Sequence, residues 1–205
     1  MKKIFLCALL MLSLPVLSRA QDDDFGVWGW VKVNKSFDNG VYAGLRGEYR
    51  LADNCSATDC WFFRPTVGYK VNGWLKFDVS YDYLQNSDVL QHRMLLGANA
   101  TLKSGNFDVS VYERYVYSYT VENEKSGNTL RSKLTVSYQV PSSICKPYMA
   151  VEMFTWDKWK KTRQYVGCKF NFTEHHALDV FYMYYTFANQ PAQQHLVGVG
   201  YEVKL

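Results

Sequence analysis

From Asp24 to Leu205 the chain is a succession of segments about ten residues long in which apolar and polar side chains alternate, each segment closed by a turn. Period two sends successive side chains to opposite faces of a strand. In Val41 to Arg50, Val41, Ala43, Leu45 and Tyr49 share one face while Tyr42, Arg46, Glu48 and Arg50 share the other. Leu75, Phe77, Val79, Tyr81 and Tyr83 likewise oppose Lys76, Asp78, Ser80 and Asp82, and Leu130, Leu134, Val136 and Tyr138 oppose Arg131, Lys133, Thr135 and Gln139. A tilted membrane-crossing strand needs roughly 9 to 11 residues. The pattern therefore predicts an all-β, antiparallel, up-and-down transmembrane β-barrel of about 10 to 12 strands. The apolar face is the outer one, because an unpaired charge toward lipid near mid-membrane costs about 2 to 4 kcal/mol.

Residues 1–20 stand apart. Lys2 and Lys3, the apolar run Ile4 to Leu17 and then Ser18-Arg19-Ala20 have the order of a secretory signal peptide, predicting cleavage near Ala20 and one mature barrel domain over 21–205. Lys2, Lys3 and Arg19 carry three of the 23 basic residues and none of the 19 acidic ones, leaving 20 against 19. A nearly neutral mature chain gives no reason to expect nucleic acid as a partner. After the signal there is no run of about 18 apolar residues, so a helical span is not expected. A secreted chain with 17% aromatic residues and no apolar helix points to the outer membrane of a Gram-negative bacterium. Its expected partners are outer-membrane lipid and the barrel assembly machinery. The C-terminal strand His195 to Leu205 fits, with Val197, Val199, Tyr201, Val203 and Leu205 on one face.

Asp38-Asn39-Gly40, Asn72-Gly73, Lys103 to Asn106, Ser142 to Lys146 and Thr173 to His176 read as tight hairpin turns. Asp53 to Cys60, Gln85 to Leu90, Val121 to Asn128, Asp157 to Lys161 and Asn189 to Gln194 read as longer, polar connections that alternate with them. That alternation assigns the long set to the outside. Trp61, Trp156 and Trp159 then mark one rim and Trp74 the other. Two features resist the scheme. Eleven segments are counted where a single-chain bacterial barrel has an even number, and the doubtful one is Phe25 to Phe37, where Trp28 and Trp30 share a face. Glu113 falls in phase with Val109 and Val111, which predicts either a β-bulge or a place near the membrane interface.

Asp24-Phe25-Gly26 with Trp28, Gly47-Glu48-Tyr49-Arg50, Pro147 to Phe154 and Arg163-Gln164-Tyr165-Val166-Gly167 occur in that order. Together they resemble an uncharacterised bacterial outer-membrane barrel family, domain of unknown function 2490. The resemblance implies a membrane β-barrel of Bacteroidetes-like origin and supplies no activity, substrate or catalytic residue.

Arg64, Arg93, Arg131 and Arg163 stand a few residues into descending strands, and Arg50, Arg114 and Glu152 near the tops of ascending ones. At about 3.3 Å per residue they fall in one lumen layer below the outer mouth, with Glu48 and Asp82 a little away. A salt-bridge network filling a narrow lumen is the favoured expectation, giving a structural or occluded barrel. The alternative is a narrow, anion-preferring pore whose guanidinium forks bind small acidic solutes. A lipid-modifying enzyme is the third possibility, and it needs a serine within reach of a histidine. His175 and His176 lie in a turn, His92 and His195 near the rim, and no Gly-x-Ser-x-Gly elbow is present. No catalytic residue, metal site or cofactor is assigned. Cys55 and Cys60 flank one loop and are expected to form a disulfide in the oxidising envelope. If the later hairpin folds about Lys158 to Trp159, Cys168 stands opposite residues near Val151, too far from Cys145 for a second one.

Overall fold

A computed structural model describes residues 24–86, 89–188 and 193–205. Residues 1–23, which include the stretch expected to be a signal peptide, Ser87-Asp88 and Asn189 to Ala192 lie outside the described residues. Eleven strands follow one another: β1 Asp24–Ser36, β2 Val41–Ala52, β3 Ala57–Lys70, β4 Leu75–Asn86, β5 Val89–Ser104, β6 Phe107–Thr120, β7 Lys125–Tyr138, β8 Cys145–Trp156, β9 Lys158–Asn171, β10 His176–Phe187 and β11 Gln194–Lys204. Each pairs with its chain neighbours, and β1 with β11 closes the barrel. The odd number is accommodated at that seam: β1 runs parallel to β11, Trp28 opposite Gly198 and Trp30 opposite Gly200, while the other pairings are antiparallel. Phe25 to Phe37 is thus mostly a full wall strand, with irregular closure as its consequence.

The end holding Leu205 is called the lower end here, and the opposite one the upper. Phase sorts the side chains as the alternation requires. Val31, Val67, Leu96, Val111, Leu134 and Val199 are exposed on the outer face. Trp28, Tyr165, Phe181, Met183 and Leu196 form a buried cluster on the inner face. A water-soluble barrel would not surround itself with such an apolar band. Where they are described, the polar segments read as long connections are at least half strand. β8 and β9 are joined by Asp157 alone, at φ +57°, and the ladder runs on through Trp156 and Lys158. Upper and lower connections consequently do not differ in length as the alternation of turns predicted.

The disulfide joins Cys145 to Cys168, with Cα atoms 6.3 Å apart, and Cys55 and Cys60 are free thiols. This corrects both cysteine expectations. Cys55 lies in a tight left-handed turn at φ +66°, whereas Cys60 points into the lumen and is buried. The one-residue turn at Asp157, followed by a register shift at Phe154/Thr155, sets Cys168 opposite Pro147. Cys145, paired with Phe170, becomes its diagonal neighbour on the outer face. Closing 23 residues of chain contributes about 3 kcal/mol in a chain-entropy account. Cys145→Ala with Cys168→Ala is expected to lower the temperature at which the folded band disappears in semi-native gels, and Cys55→Ser to leave it unchanged. An unchanged double variant would remove the staple from the account.

Glu113 also differs from expectation. The register is continuous along β6 on both sides, so there is no bulge, and Glu113 sits at mid-strand rather than near an end. It faces outward and accepts a hydrogen bond of 2.7 Å from Ser132 Oγ on β7.

Candidate functional site: a charged layer in the upper lumen

Phase places Arg46, Glu48 and Arg50 of β2 on the inner face. Arg50 stands opposite Trp28 and Cys60, Glu48 opposite Trp30 and Phe62, and Arg46 opposite Lys32 and Arg64. Glu48 accepts hydrogen bonds from Arg50 Nε at 2.6 Å and from Arg46, and it is buried. On the next hairpin Arg64 Nη2 donates to Asp82 Oδ2 at 2.7 Å, and Asp82 is fully buried. Across the lumen Glu152 of β8 gathers three donors: Arg131 Nη2 at 2.6 Å, Arg163 Nη1 at 3.4 Å and the Tyr165 hydroxyl at 2.9 Å.

The remaining two of the six arginines are held differently. Arg93 Nη2 donates to Gln91 Oε1 at 2.6 Å, and Arg114 Nε to the Tyr112 hydroxyl at 3.0 Å. That hydroxyl donates onward to Asp78 Oδ1 at 2.8 Å. Among the described residues neither Arg93 nor Arg114 makes an ion pair. Guanidinium groups thus outnumber the carboxylates able to neutralise them.

Aromatic rings supply what the carboxylates do not. Trp28 lies between two guanidinium groups, Arg50 Cζ being 3.8 Å and Arg163 Cζ 4.8 Å from its ring centroid. Arg163 also faces Phe154 and Tyr185, each at 4.6 Å, and Arg131 faces Phe154 at 4.8 Å. Arg64 stacks on Phe62 at 4.7 Å and Arg46 on Trp30 at 4.5 Å. A desolvated cation over a ring gains about 2 kcal/mol, and the rings occupy volume that ion pairs alone would leave to water. The layer therefore combines charge neutralisation with filling.

The residues singled out from sequence, Arg50, Arg64, Arg93, Arg114, Arg131, Arg163, Glu48, Glu152 and Asp82, all face inward, between the middle of the barrel and its upper end. They fall into three carboxylate-centred groups, with Arg93 and Arg114 between two of them. Missed were the plates Trp28, Phe62, Phe154, Tyr165 and Tyr185, together with the cations Arg46, Lys133 and Lys161. Lys133 lies over Tyr165 at 4.1 Å and Lys161 over Tyr185 at 5.1 Å. Their inward phase was available, since Trp28 is in step with Lys32 and Phe62 with Arg64. The histidines lie elsewhere. His92 meets the Tyr81 hydroxyl, while His195 Nδ1 is 2.5 Å from the Tyr182 hydroxyl and His176 Nδ1 is 2.9 Å from that of Tyr201.

An apolar outer band around an inward charged layer defines a transmembrane β-barrel. The chain belongs to the family described as "Protein of unknown function (DUF2490)", whose model matches residues 25–195. It is similar in fold to a solved chain titled "NanC porin", at 14% identity and TM-score 0.51, over 80% of this chain and 86% of that one. A chain titled "KdgM porin" aligns at 16% identity and TM-score 0.49, over 74% of this chain and 80% of that one. No curated protein matches the sequence.

Proposed function

We propose that the protein is an outer-membrane barrel, lower end toward the periplasm, whose lumen is closed in its upper half by a ring of ion pairs and cation–aromatic stacks. Its role on this reading is structural or scaffold-like rather than that of a diffusion channel. The observation that carries it is burial on the lumen side. Asp82, Leu95 and Met183 are 0% exposed and Trp28, Glu152 and Arg163 5%, although all face what would be the water column of an open pore. Lipid meets the outer band, and the assembly machinery is the expected partner during insertion. Among the described residues His92, His176 and His195 meet tyrosine hydroxyls and His175 the Lys204 carbonyl, and an enzyme is not proposed.

Two observations favour a second reading, a narrow anion-preferring pore: the excess of lumen cations, and Arg93 with no ion-pair partner among the described residues. Proteoliposomes separate the two. The closed barrel predicts that isotonic solutions of a neutral sugar and of a sugar acid of similar size both swell them no faster than protein-free vesicles. Faster entry of the acid, abolished by Arg93→Glu with Arg131→Glu, would establish the pore instead.

A further inference from the structure

Side chains on the inner face are more open below the charged layer than within it. Lys32, Lys169 and Arg46 keep 37%, 31% and 28% of their side-chain surface exposed, against 6% for Arg163 and 7% for Glu152. The lower lumen is a cup, floored by the layer and open at the lower end. Direct cross-strand neighbours in this cup carry the same charge: Lys70 stands opposite Lys76, Lys146 opposite Lys169, and Lys32 opposite Arg46. Like charges in direct register across a ladder are destabilising. The carboxylates offset only part of this. Glu202 takes Lys169 and the Asn34 amide, the latter at 2.7 Å, and meets Lys32 only at 4.0 Å, while Asp108 takes Lys146. Asp78 and Asp179 accept from the Tyr112 and Tyr148 hydroxyls at 2.8 and 3.0 Å. Lys70 donates to Ser36 Oγ at 3.1 Å and Lys76 lies over the Tyr42 ring, and among the described residues neither makes an ion pair.

We infer that the cup binds a soluble linear polyanion, one chain bearing several phosphate or carboxylate groups, which enters from the lower end. The inference rests on the closed upper half proposed above. Charge complementarity names the occupant. The three like-charged pairs lie on different parts of the wall, β3 with β4, β8 with β9 and β1 with β2, and they are staggered in depth. Lys70 ends β3 and Lys146 is the second residue of β8, whereas Arg46 lies five residues, or about 13 Å, inside β2. A single small anion can neutralise one such pair, but a chain of anionic groups reaches all three. Lysine presents a point charge on a flexible stem rather than a fixed fork, so the number and spacing of anionic groups matter more than their shape. The upper end carries no matching excess: Asp53, Glu122, Glu124 and Asp157 on its connections stand beside Lys125, Lys158 and Lys160. A polyanion is therefore drawn to the lower mouth and stops at the layer of Trp28 and Arg163.

The test is calorimetric titration of the full chain in detergent at low salt with a short linear polyphosphate, with an oligoglutamate as its carboxylate counterpart and orthophosphate as the single-group control. The wild type is expected to hold the better of the two chains at least about tenfold more tightly than orthophosphate, and the preference between the chains tells phosphate from carboxylate. Lys70→Gln with Lys76→Gln is expected to weaken chain binding about tenfold, and Lys125→Gln with Lys158→Gln, the same charge removed at the upper end, by less than about twofold. Semi-native migration checks that each variant is folded. Binding of neither chain, an affinity no greater than that for orthophosphate, or equal losses in the two double variants would each overturn the inference. Entry of the polyphosphate into proteoliposomes, together with the expected binding pattern, would leave the site standing and overturn the closed upper half instead.

Discussion

Glu152→Leu is expected to cost about 3 to 5 kcal/mol, the penalty for leaving buried charge uncompensated. The loss falls on two guanidinium groups at once. Arg131 and Arg163 both donate to Glu152, as does Tyr165, and Arg163 is itself 5% exposed. The readout is a fall in the urea midpoint or in the temperature of the semi-native gel transition. The triple variant Arg131→Met, Glu152→Leu, Arg163→Met should recover most of the loss, because apolar replacement of a whole buried network is often neutral or stabilising. A Glu152→Leu variant within about 1 kcal/mol of wild type would mean that water reaches these arginines, and the lumen would not be closed.

The second large effect is expected at the parallel seam. An added Cβ at Gly200 would stand 1.8 Å from Trp30 Cε2, because the indole lies over the β11 backbone opposite it. Trp30 cannot easily swing away, being stacked beneath Arg46. Gly200→Val therefore forces either the ring or the strand to move, and overpacking of this kind ordinarily costs 1 to 3 kcal/mol or more. Here it separates the first strand from the last, so loss of the folded, protease-resistant form is expected. Gly29 lies on the same seam but faces outward, with no atom within 4 Å of an added Cβ. Gly29→Val should fold as the wild type does. Equal behaviour of the two variants would show that seam packing around Trp30 is not what closes the barrel.

Alternation made the wall legible from residues alone, because phase is a local property that ten consecutive side chains declare. Register is not local. Whether Cys168 meets Cys145 depends on a one-residue turn at Asp157 and on a shift at Phe154/Thr155, and neither leaves a mark in the phase of β8 or β9. A slip of one residue in a ladder reverses faces, but a slip of two preserves every face while changing every partner. The disulfide expected from spacing therefore falls on the wrong cysteines, and the polar strand ends near Asp157 read as loop for a similar reason. Parallel closure of β1 on β11 joins residues 168 apart, as in the Asn34 to Glu202 hydrogen bond, and no local pattern predicts it.

The charged layer was legible to the same depth. Phase gathered the six arginines and three carboxylates on one face, but which pairs formed depended on register. The aromatic plates were hidden for a different reason. Trp28, Phe62 and Tyr185 resemble the interfacial aromatics of any barrel, and only the barrel's narrowness turns them into the filling between guanidinium groups. Alternation alone puts Glu113 outward, but its depth is set by register, and the structure has neither the bulge nor the interfacial place expected for it.

The closed lumen is tested most directly by current through the purified protein in a planar bilayer. Wild type is expected to give no stable conductance steps in molar potassium chloride. Trp28→Ser with Arg163→Ser, which removes the central plate and a guanidinium facing it, is expected to give them. Steady, anion-selective steps from the wild type itself would contradict the account.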